Sequence, residues 1–208
     1  MVDFMNKDKN TEERILKAAR TVFIEKGYNG ARMQEIADKA EINKAMLHYY
    51  FRDKEKLFYK IFEIVFQEFF PIITDIISSE MKFEDKVRQL CNNYVSLFQK
   101  NPYIPLFILS EINRNPDKLQ AFANNYISKS FERVRETFSK QLKKEKLRQV
   151  DVRHIIMNII SLSVFHFIAM PMFKTIFNVS ESEYFDLIEE RKVIIADTII
   201  SWLKNTQD

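Results

Sequence analysis

Glycine is nearly absent from this chain of 208 residues, which contains only Gly27 and Gly30. Loops that hold a phosphate need several glycines, because the backbone must approach the ligand closely there. The chain has too few for a P-loop or a Rossmann-type turn, so nucleotide binding of these kinds is excluded. Turns between strands also favour glycine. Scarce glycine together with long segments of helical periodicity predicts an all-α fold.

Cysteine is also scarce, since Cys91 is the only one and cannot form an intrachain disulfide. It lies in a segment predicted to be a buried helix, and we interpret it as a small core side chain. The sequence has no metal-ligand spacing among its three histidines and this cysteine. It also has no nucleophile–base pair, no carboxylates at useful spacing and no cofactor motif. We therefore expect no metal, no cofactor and no enzymatic activity.

Charge is nearly balanced, with 32 basic and 29 acidic residues and a net charge of +3. The first 60 residues carry 13 basic and 10 acidic residues, so the whole surplus lies in this part of the chain. A surplus this small gives only weak support for nucleic-acid binding. The first ten residues, MVDFMNKDKN, lack the apolar segment of a signal peptide, and we expect a cytoplasmic protein.

Apolar residues at helical spacing predict about nine helices. Gly27 is expected to end the first helix as a left-handed cap, and Pro71 to bend the fourth. Two short helices separated by three residues follow the first helix, which is typical of a helix-turn-helix unit. The predicted helices span residues 11–26, 33–40, 44–50, 54–79, 83–100, 102–113, 116–146, 152–177 and 182–204.

Residues 154–173 form a run of twenty without Asp, Glu, Lys or Arg, which is long enough to cross a membrane. The polar residues His154, Asn158 and His166 within it instead favour a helix buried in a folded protein. Burial on nearly all sides is easiest if a second subunit covers one face. The last helix also has a wide apolar face, so we predict a homodimer through the last two helices, as a four-helix bundle and without a membrane. An ordinary core within one chain is the alternative.

The second short helix lies within EINKAMLHYYF, residues 41–51, and is too short to be stable in isolation. On a helical wheel, Leu47 and Phe51 point together toward the core. The opposite face suits the major groove of DNA, because polar tips can reach phosphates and a small side chain lets the helix come close. That face consists of the small Ala45 and the polar-tipped Lys44, His48, Tyr49 and Tyr50.

Residues 15–58, ILKAARTVFIEKGYNGARMQEIADKAEINKAMLHYYFRDKEKLF, closely resemble the N-terminal domain of tetracycline-repressor-like (TetR family) transcription regulators. The match consists of a long helix ending in Gly-Tyr and the pattern IA..A.IN.A.L.YYF..K..L. The resemblance implies a homodimeric DNA-binding protein, usually a repressor, in which the fourth helix couples an effector pocket to the spacing of the two DNA-binding heads. Accordingly, we expect a helix-turn-helix DNA-binding domain at 1–53 and a helical effector-binding and dimerisation domain at 54–208. The family's DNA contacts correspond to Arg32, Met33, Gln34, Asn43, Lys44, Ala45, His48, Tyr49, Tyr50 and Lys54.

Three positions depart from the residues usual in this family. Arg32 precedes the second helix where the family commonly has Thr or Ser, and its charge can replace their phosphate contact. Glu41 occupies the turn where Gly is usual; a side chain at positive φ costs about 1 kcal/mol, and an acid near DNA adds repulsion. His48 occupies the position of a Tyr, and a histidine can donate a hydrogen bond to a phosphate.

Nineteen phenylalanines allow an apolar cavity for an effector, although aromatic residues at helical spacing are more often plain core. Polar residues inside apolar helices are better candidates, since a buried polar group needs a partner. We expect a small hydrophobic effector; an enzyme or carrier that uses the same cavity is the alternative class of function. The candidate ligand-binding residues are Phe62, Phe66, Asn93, Tyr94, Phe98, Phe107, Tyr126, Asn158, Phe165 and His166.

Overall fold

The computed structural model describes residues 2–114, 116–117 and 128–205, with the side chains of all of these except 2–9, 69 and 128–130. This part of the chain contains ten helices and no strand, so the predicted all-α fold is confirmed. The helices are α1 (Val2–Gly30), α2 (Met33–Lys39), α3 (Lys44–Tyr50), α4 (Lys54–Ser78), α5 (Phe83–Lys100), α6 (Ile104–Arg114), α7 (Ser128–Lys144), α8 (Val152–Ile168), α9 (Met170–Phe177) and α10 (Glu181–Lys204).

The predicted single helix over residues 152–177 is wrong, because the structure has two helices there, α8 and α9. Their axes differ by 69° across the break at Ala169. Pro171 lies in the first turn of α9, where a missing backbone N–H costs no helical hydrogen bond. Gly27 interrupts α1 with φ of 64° and ψ of −179°, so the expected break at positive φ is confirmed, but the helix resumes and ends at Gly30 instead of ending at Gly27.

The chain forms two compact units, and the first comprises Met1–Phe69 and Phe107–Arg114. In this unit α2 packs against both α1 and α3. The inner faces of these helices and of the first half of α4 form the core, as their helical periodicity predicts. The buried side chains include Ile15, Ala18, Ala19, Val22, Phe23, Ile36, Ala37, Leu47, Leu57, Phe58 and Ile61.

The second unit comprises Phe70–Leu106 and Asn115–Asp208. Here α5 is the central helix, packing most extensively against α10 and then against α8. Cys91 lies on the inner face of α5 and is fully buried, which confirms its interpretation as a core side chain. Burial raises the pKa of Cys91 to about 11, so the thiolate that reactive chemistry needs is disfavoured.

Within the described ranges, no single helix combines the length and the apolar composition needed to cross a membrane. In these ranges, only α8 and α9 taken together have the required length and apolar composition, and the two helices are bent relative to each other.

Candidate nucleic-acid interface

The turn between α2 and α3 is a Schellman motif built around Glu41, whose φ is 53°. The Ile42 N–H donates to the Ala37 carbonyl, and the Glu41 N–H donates to the Asp38 carbonyl, each at 3.0 Å. This pairing satisfies carbonyls at the end of α2 and requires one left-handed residue. The positive φ expected at Glu41 is therefore confirmed.

Arg14 of α1 fastens this turn. Its Nη2 donates to the Ala40 carbonyl at 2.6 Å and to the Glu41 carbonyl at 3.3 Å, and it lies 3.2 Å from Oε2 of Glu41. The cation thus offsets the carboxylate that was expected to repel DNA. Sequence reasoning overlooked Arg14, because the contact joins residues 27 positions apart.

The outer face of α3 is solvent-exposed along its length. Lys44, Ala45, His48 and Tyr49 are all exposed, and Tyr50 is half-buried. Tyr49 is 82% exposed and its ring meets that of Tyr50 edge to face at 5.4 Å between centroids. This face therefore presents polar-tipped aromatic rings and a cation to solvent, a set that can contact both phosphates and base edges.

The inner face of α3 is narrower than the wheel indicated. Leu47 is fully buried, but Phe51 is only half-buried and lies one residue beyond the helix as its C-cap. The neighbouring Met46, which the sequence reasoning did not select, is 42% exposed. An exposed apolar side chain beside Ala45 can contact a thymine methyl group.

His48 makes a local hydrogen bond in which Nδ1 donates to the Arg52 carbonyl at 3.1 Å, since a carbonyl can only accept. The neutral ring therefore presents Nε2 as an acceptor. Donation to a phosphate requires the doubly protonated ring.

Three of the other predicted contact residues also have local partners. Asn43 caps α3 by accepting the Met46 N–H at 2.7 Å, and the Gln34 amide donates to Asp38 at 2.8 Å. Lys54 is half-buried with its Nζ 4.5 Å from the centroid of the Tyr28 ring. Burial, followed by the charge of Arg114, lowers the pKa of Lys54.

The N-termini of α2 and α4 differ in whether a side chain accepts a hydrogen bond from their free backbone N–H groups. Arg32 is the exposed N-cap of α2 and makes no side-chain cap hydrogen bond, whereas Met33, the first residue of that helix, is half-buried. Asp53 accepts the Lys56 N–H at 2.7 Å at the start of α4. The N-terminus of α4 thus already carries a carboxylate. That of α2 carries an exposed arginine for which the described residues show no partner.

The second unit contains a cavity of about 320 Å³ between α8, α9 and α10, referred to below as the α8–α10 cavity. Its size lies at the lower end of small-molecule sites. Of the predicted ligand-binding residues, it brings together Phe165 and His166. Its lining residues are Ser161, Leu162, Phe165, His166, Phe173, Phe177, Tyr184, Leu187, Ile188, Glu190, Arg191 and Ile194.

The other predicted ligand-binding residues lie elsewhere. Phe62 and Phe107 are buried in the first unit with their ring centroids 6.2 Å apart. Phe98 is buried against Phe167, and the Asn93 amide donates to the Gln89 carbonyl of its own helix at 2.8 Å. Phe66, Tyr94 and Asn158 are half-buried, and Tyr126 lies outside the described residues.

His166 is the buried polar group of the α8–α10 cavity, with only 5% of its surface exposed. Its Nδ1 donates to the Leu162 carbonyl at 3.2 Å, and its Nε2 has no hydrogen-bond partner within the described part of the chain. Burial and the nearby charge of Arg191 lower the pKa of His166 to about 4, so the ring is neutral at physiological pH. The Tyr184 hydroxyl donates to the His166 carbonyl at 2.8 Å and ties α10 to α8.

Comparisons with known proteins agree with this geometry. A sequence model of bacterial regulatory proteins of the tetR family matches residues 15–61. The transcriptional repressor NicS of Pseudomonas putida is 42% identical over 59 residues, which are 28% of this chain and 28% of NicS. The transcriptional regulator QacR of Staphylococcus aureus is 40% identical over 55 residues, 26% of this chain and 29% of QacR. The aligned part thus spans less than a third of each of these curated relatives.

Similarity in structure extends over nearly the whole chain. The crystal structure of HlyIIR, a hemolysin II transcriptional regulator, is 26% identical with a TM-score of 0.64. The alignment covers 95% of this chain and 99% of HlyIIR. The helix-turn-helix match and the shared fold lead to one conclusion: residues 15–61 match the tetR family of bacterial regulatory proteins, and nearly the whole chain has the fold of a solved transcriptional regulator.

Proposed function

We propose that this protein is a transcriptional repressor that binds operator DNA as a homodimer and releases it when a small hydrophobic effector binds. The observation that carries the proposal is the exposed face of α3. Tyr49 is 82% exposed, although burying an aromatic ring would favour folding. A large ring held out in solvent beside Lys44 and Ala45 is explained by a partner that covers it.

The DNA-binding domain in this proposal consists of residues 1–53, and residues 54–208 bind the effector and form the dimer. Exposed Arg32 and Lys44 supply charge to phosphates, which position a protein on DNA without reading sequence. Tyr49 and Ala45 face the base edges. The full proposed set of DNA contacts is Arg32, Met33, Gln34, Asn43, Lys44, Ala45, His48, Tyr49, Tyr50 and Lys54. Such a role implies that the protein acts in the cytoplasm.

The proposed dimer surface is formed by apolar side chains that remain exposed on the last three helices. Met157 and Phe165 of α8, Ile176 of α9, and Val193 and Ile194 of α10 are each more than half exposed. A group of large apolar side chains of this kind marks a protein-protein interface. A second copy that presents the same surface would cover it by two-fold symmetry.

The hydrophobic character of the effector is supported by the lining of the α8–α10 cavity. Phe165, Phe173, Phe177 and Leu187 contribute apolar surface, and the neutral His166 adds no charge. A thermal-shift screen should find that apolar or amphipathic compounds raise the melting temperature. A screen in which only strongly polar metabolites do so would contradict this part of the proposal.

A gel-shift assay with DNA fragments from upstream of the protein's own gene tests the proposed function. We expect a fragment that binds at moderate salt at a protein concentration at which random DNA of equal length does not. The variant Tyr49→Ala should lose this preference, whereas Tyr103→Ala, an exposed tyrosine of the second unit, should retain it. If no upstream fragment binds more tightly than random DNA, a repressor acting near its own gene is excluded.

A further inference from the structure

The Tyr28 ring has two cations beside it. The Arg114 guanidinium carbon lies 3.6 Å from the ring centroid, and the Lys54 Nζ lies 4.5 Å from the same centroid. Both distances are within the roughly 6 Å over which an aromatic quadrupole attracts a cation. All three residues belong to the first compact unit. A lysine proposed to contact DNA thus shares its aromatic partner with an arginine of α6.

Arg114 is held firmly on this ring. Its Nε lies 2.8 Å from Oε2 of Glu111 and its Nη2 lies 2.9 Å from Oε1, a two-point pairing that fixes the guanidinium plane. Glu111 is only 5% exposed, and its Oε1 also accepts the Tyr59 hydroxyl at 2.8 Å. Moving Arg114 would break this two-point pairing with a buried carboxylate, which is costly.

Lys54 is held much less firmly. It has no carboxylate partner among the residues that the structure describes, and its ammonium group sits on a flexible stem. Burial and the charge of Arg114 both disfavour its charged form, which lowers its pKa. The two cations therefore differ: one is anchored to a buried acid, and the other can leave the ring when a better partner approaches.

We propose that Arg114 is a positioning residue for DNA binding, which occupies the Tyr28 ring and thereby keeps Lys54 available to a phosphate. Without Arg114, Lys54 would have the ring to itself and would have to give up that contact on binding DNA. The inference rests on the proposed function, because the phosphate contact of Lys54 is part of it. It assigns a role in DNA affinity to Glu111 and Arg114, which lie far along the chain from the helix-turn-helix unit.

Fluorescence anisotropy with the upstream DNA fragment tests this role in Arg114→Gln and Glu111→Gln. Both should bind about fivefold more weakly than wild type, the size expected for one cation–π contact. Arg133→Gln is the matched control, since it removes an exposed arginine of α7 in the second unit and should change binding less than twofold. Glu111→Gln is the sharper variant, because removing an acidic charge would by charge alone strengthen DNA binding.

A measurement without DNA separates this role from a loss of folding. Lysines labelled with ¹³C-methyl groups give an NMR signal for Lys54, identified by its absence in Lys54→Arg. The ring current of Tyr28 should displace that signal in wild type and displace it further in Arg114→Gln. Circular dichroism melting confirms that each variant folds, and Arg114→Lys provides a milder change, expected to weaken DNA binding in the same direction.

Two results would overturn the inference. One is DNA binding by Glu111→Gln as tight as wild type or tighter, and the other is an unchanged Lys54 signal in Arg114→Gln. If wild type binds the upstream fragment and the Arg114 and Glu111 variants bind it equally well, only this inference is overturned. A wild-type protein that binds no upstream fragment would overturn the proposed function and this inference together.

Discussion

Leu47 and Tyr49 lie two residues apart on α3, yet Leu47 is fully buried and Tyr49 is 82% exposed. Substitutions at these two residues therefore test the stability of the fold and the proposed contact with DNA separately. Tyr49→Ala should change the free energy of unfolding by less than about 0.5 kcal/mol, as is usual for exposed positions. It should weaken binding of the upstream fragment by about tenfold, the effect of losing one base contact. Urea denaturation and fluorescence anisotropy measure the two effects.

Leu47→Ala is the counterpart of this experiment. Removing a fully buried leucine side chain should cost about 2–5 kcal/mol of unfolding free energy, because it leaves a cavity in the core of the first unit. A Tyr49 variant that loses as much stability as the Leu47 variant would show that the exposed ring has a structural role instead.

Glu41→Gly should stabilise the protein and strengthen DNA binding. Glycine relieves a left-handed conformation with φ of 53°, worth about 1 kcal/mol. Loss of the exposed ion pair with Arg14 reduces this gain in unfolding free energy by a few tenths of a kcal/mol. The unfolding free energy should therefore rise by about 0.5 kcal/mol, and removal of an acid beside α3 should tighten binding.

Lys146→Gly is a matched control for this substitution. Lys146 also has φ of 53°, in a turn where the Leu147 N–H donates to the Leu142 carbonyl at 2.9 Å. This variant should gain stability without any change in DNA binding, because it belongs to the second unit. Destabilisation by Glu41→Gly but not by Lys146→Gly would mean that the contact with Arg14 outweighs the backbone strain.

The buried His166 should make the protein less stable in mild acid. Its folded-state pKa is about 4, below the ordinary value of 6.5, because of burial and Arg191. As pH falls from 6.5 toward 4, the unfolded chain takes up a proton at this ring that the folded chain does not. This stabilisation, present above pH 6.5, should be lost over that range, amounting to on the order of 2–3 kcal/mol.

Chemical denaturation at a series of pH values tests this, with His166→Asn as the variant. Asparagine can still donate to the Leu162 carbonyl but cannot take up a proton, so the slope of stability against pH should decrease. His154→Asn, an exposed histidine of the same helix, should keep the wild-type slope. If wild type and both variants had equal slopes, His166 would be excluded as the source of the pH-dependent loss of stability.

Ile194→Asp should dissociate the proposed dimer. The side chain is 52% exposed on α10 and borders the α8–α10 cavity, so a charge there would be buried by a second copy. Light scattering should give about twice the chain mass of 24.9 kDa for wild type and the single mass for the variant. Ile72→Asp, at a 41% exposed position of α4, should remain dimeric. A wild-type mass near 25 kDa would rule out the dimer.

Local signals in the sequence were sufficient to locate α3, the proposed recognition helix. The helix Lys44–Tyr50 begins and ends where it was predicted. Its ends are set by local residues, the Asn43 cap before it and the residues just after Tyr50. The break between α8 and α9 was missed, although Pro171 marked it, since the apolar run continues through it. Apolar periodicity alone does not distinguish one long helix from two helices that share a buried side.

Contacts between distant parts of the chain were beyond the reach of such signals. The pairing of Arg14 with Glu41 and the placement of Arg114 on Tyr28 depend on how helices pack, not on residue spacing. His48 was expected to be free for a phosphate, but the chain turns after α3 so that the Arg52 carbonyl takes its Nδ1–H. Helices and their exposed faces follow from sequence periodicity, whereas partners of individual polar groups require the fold.

The last residues of α6 are grouped with the first unit, which is therefore assembled from two separate pieces of chain. Any exchange of the proposed DNA-binding unit between related proteins has to include both pieces. A chimaera joined after residue 53 or 69 would bring a new Tyr28 but keep Glu111 and Arg114 from the recipient. Grafted heads should regain full activity only when residues 107–114 are transferred with them, so the exchangeable module is discontinuous in the gene.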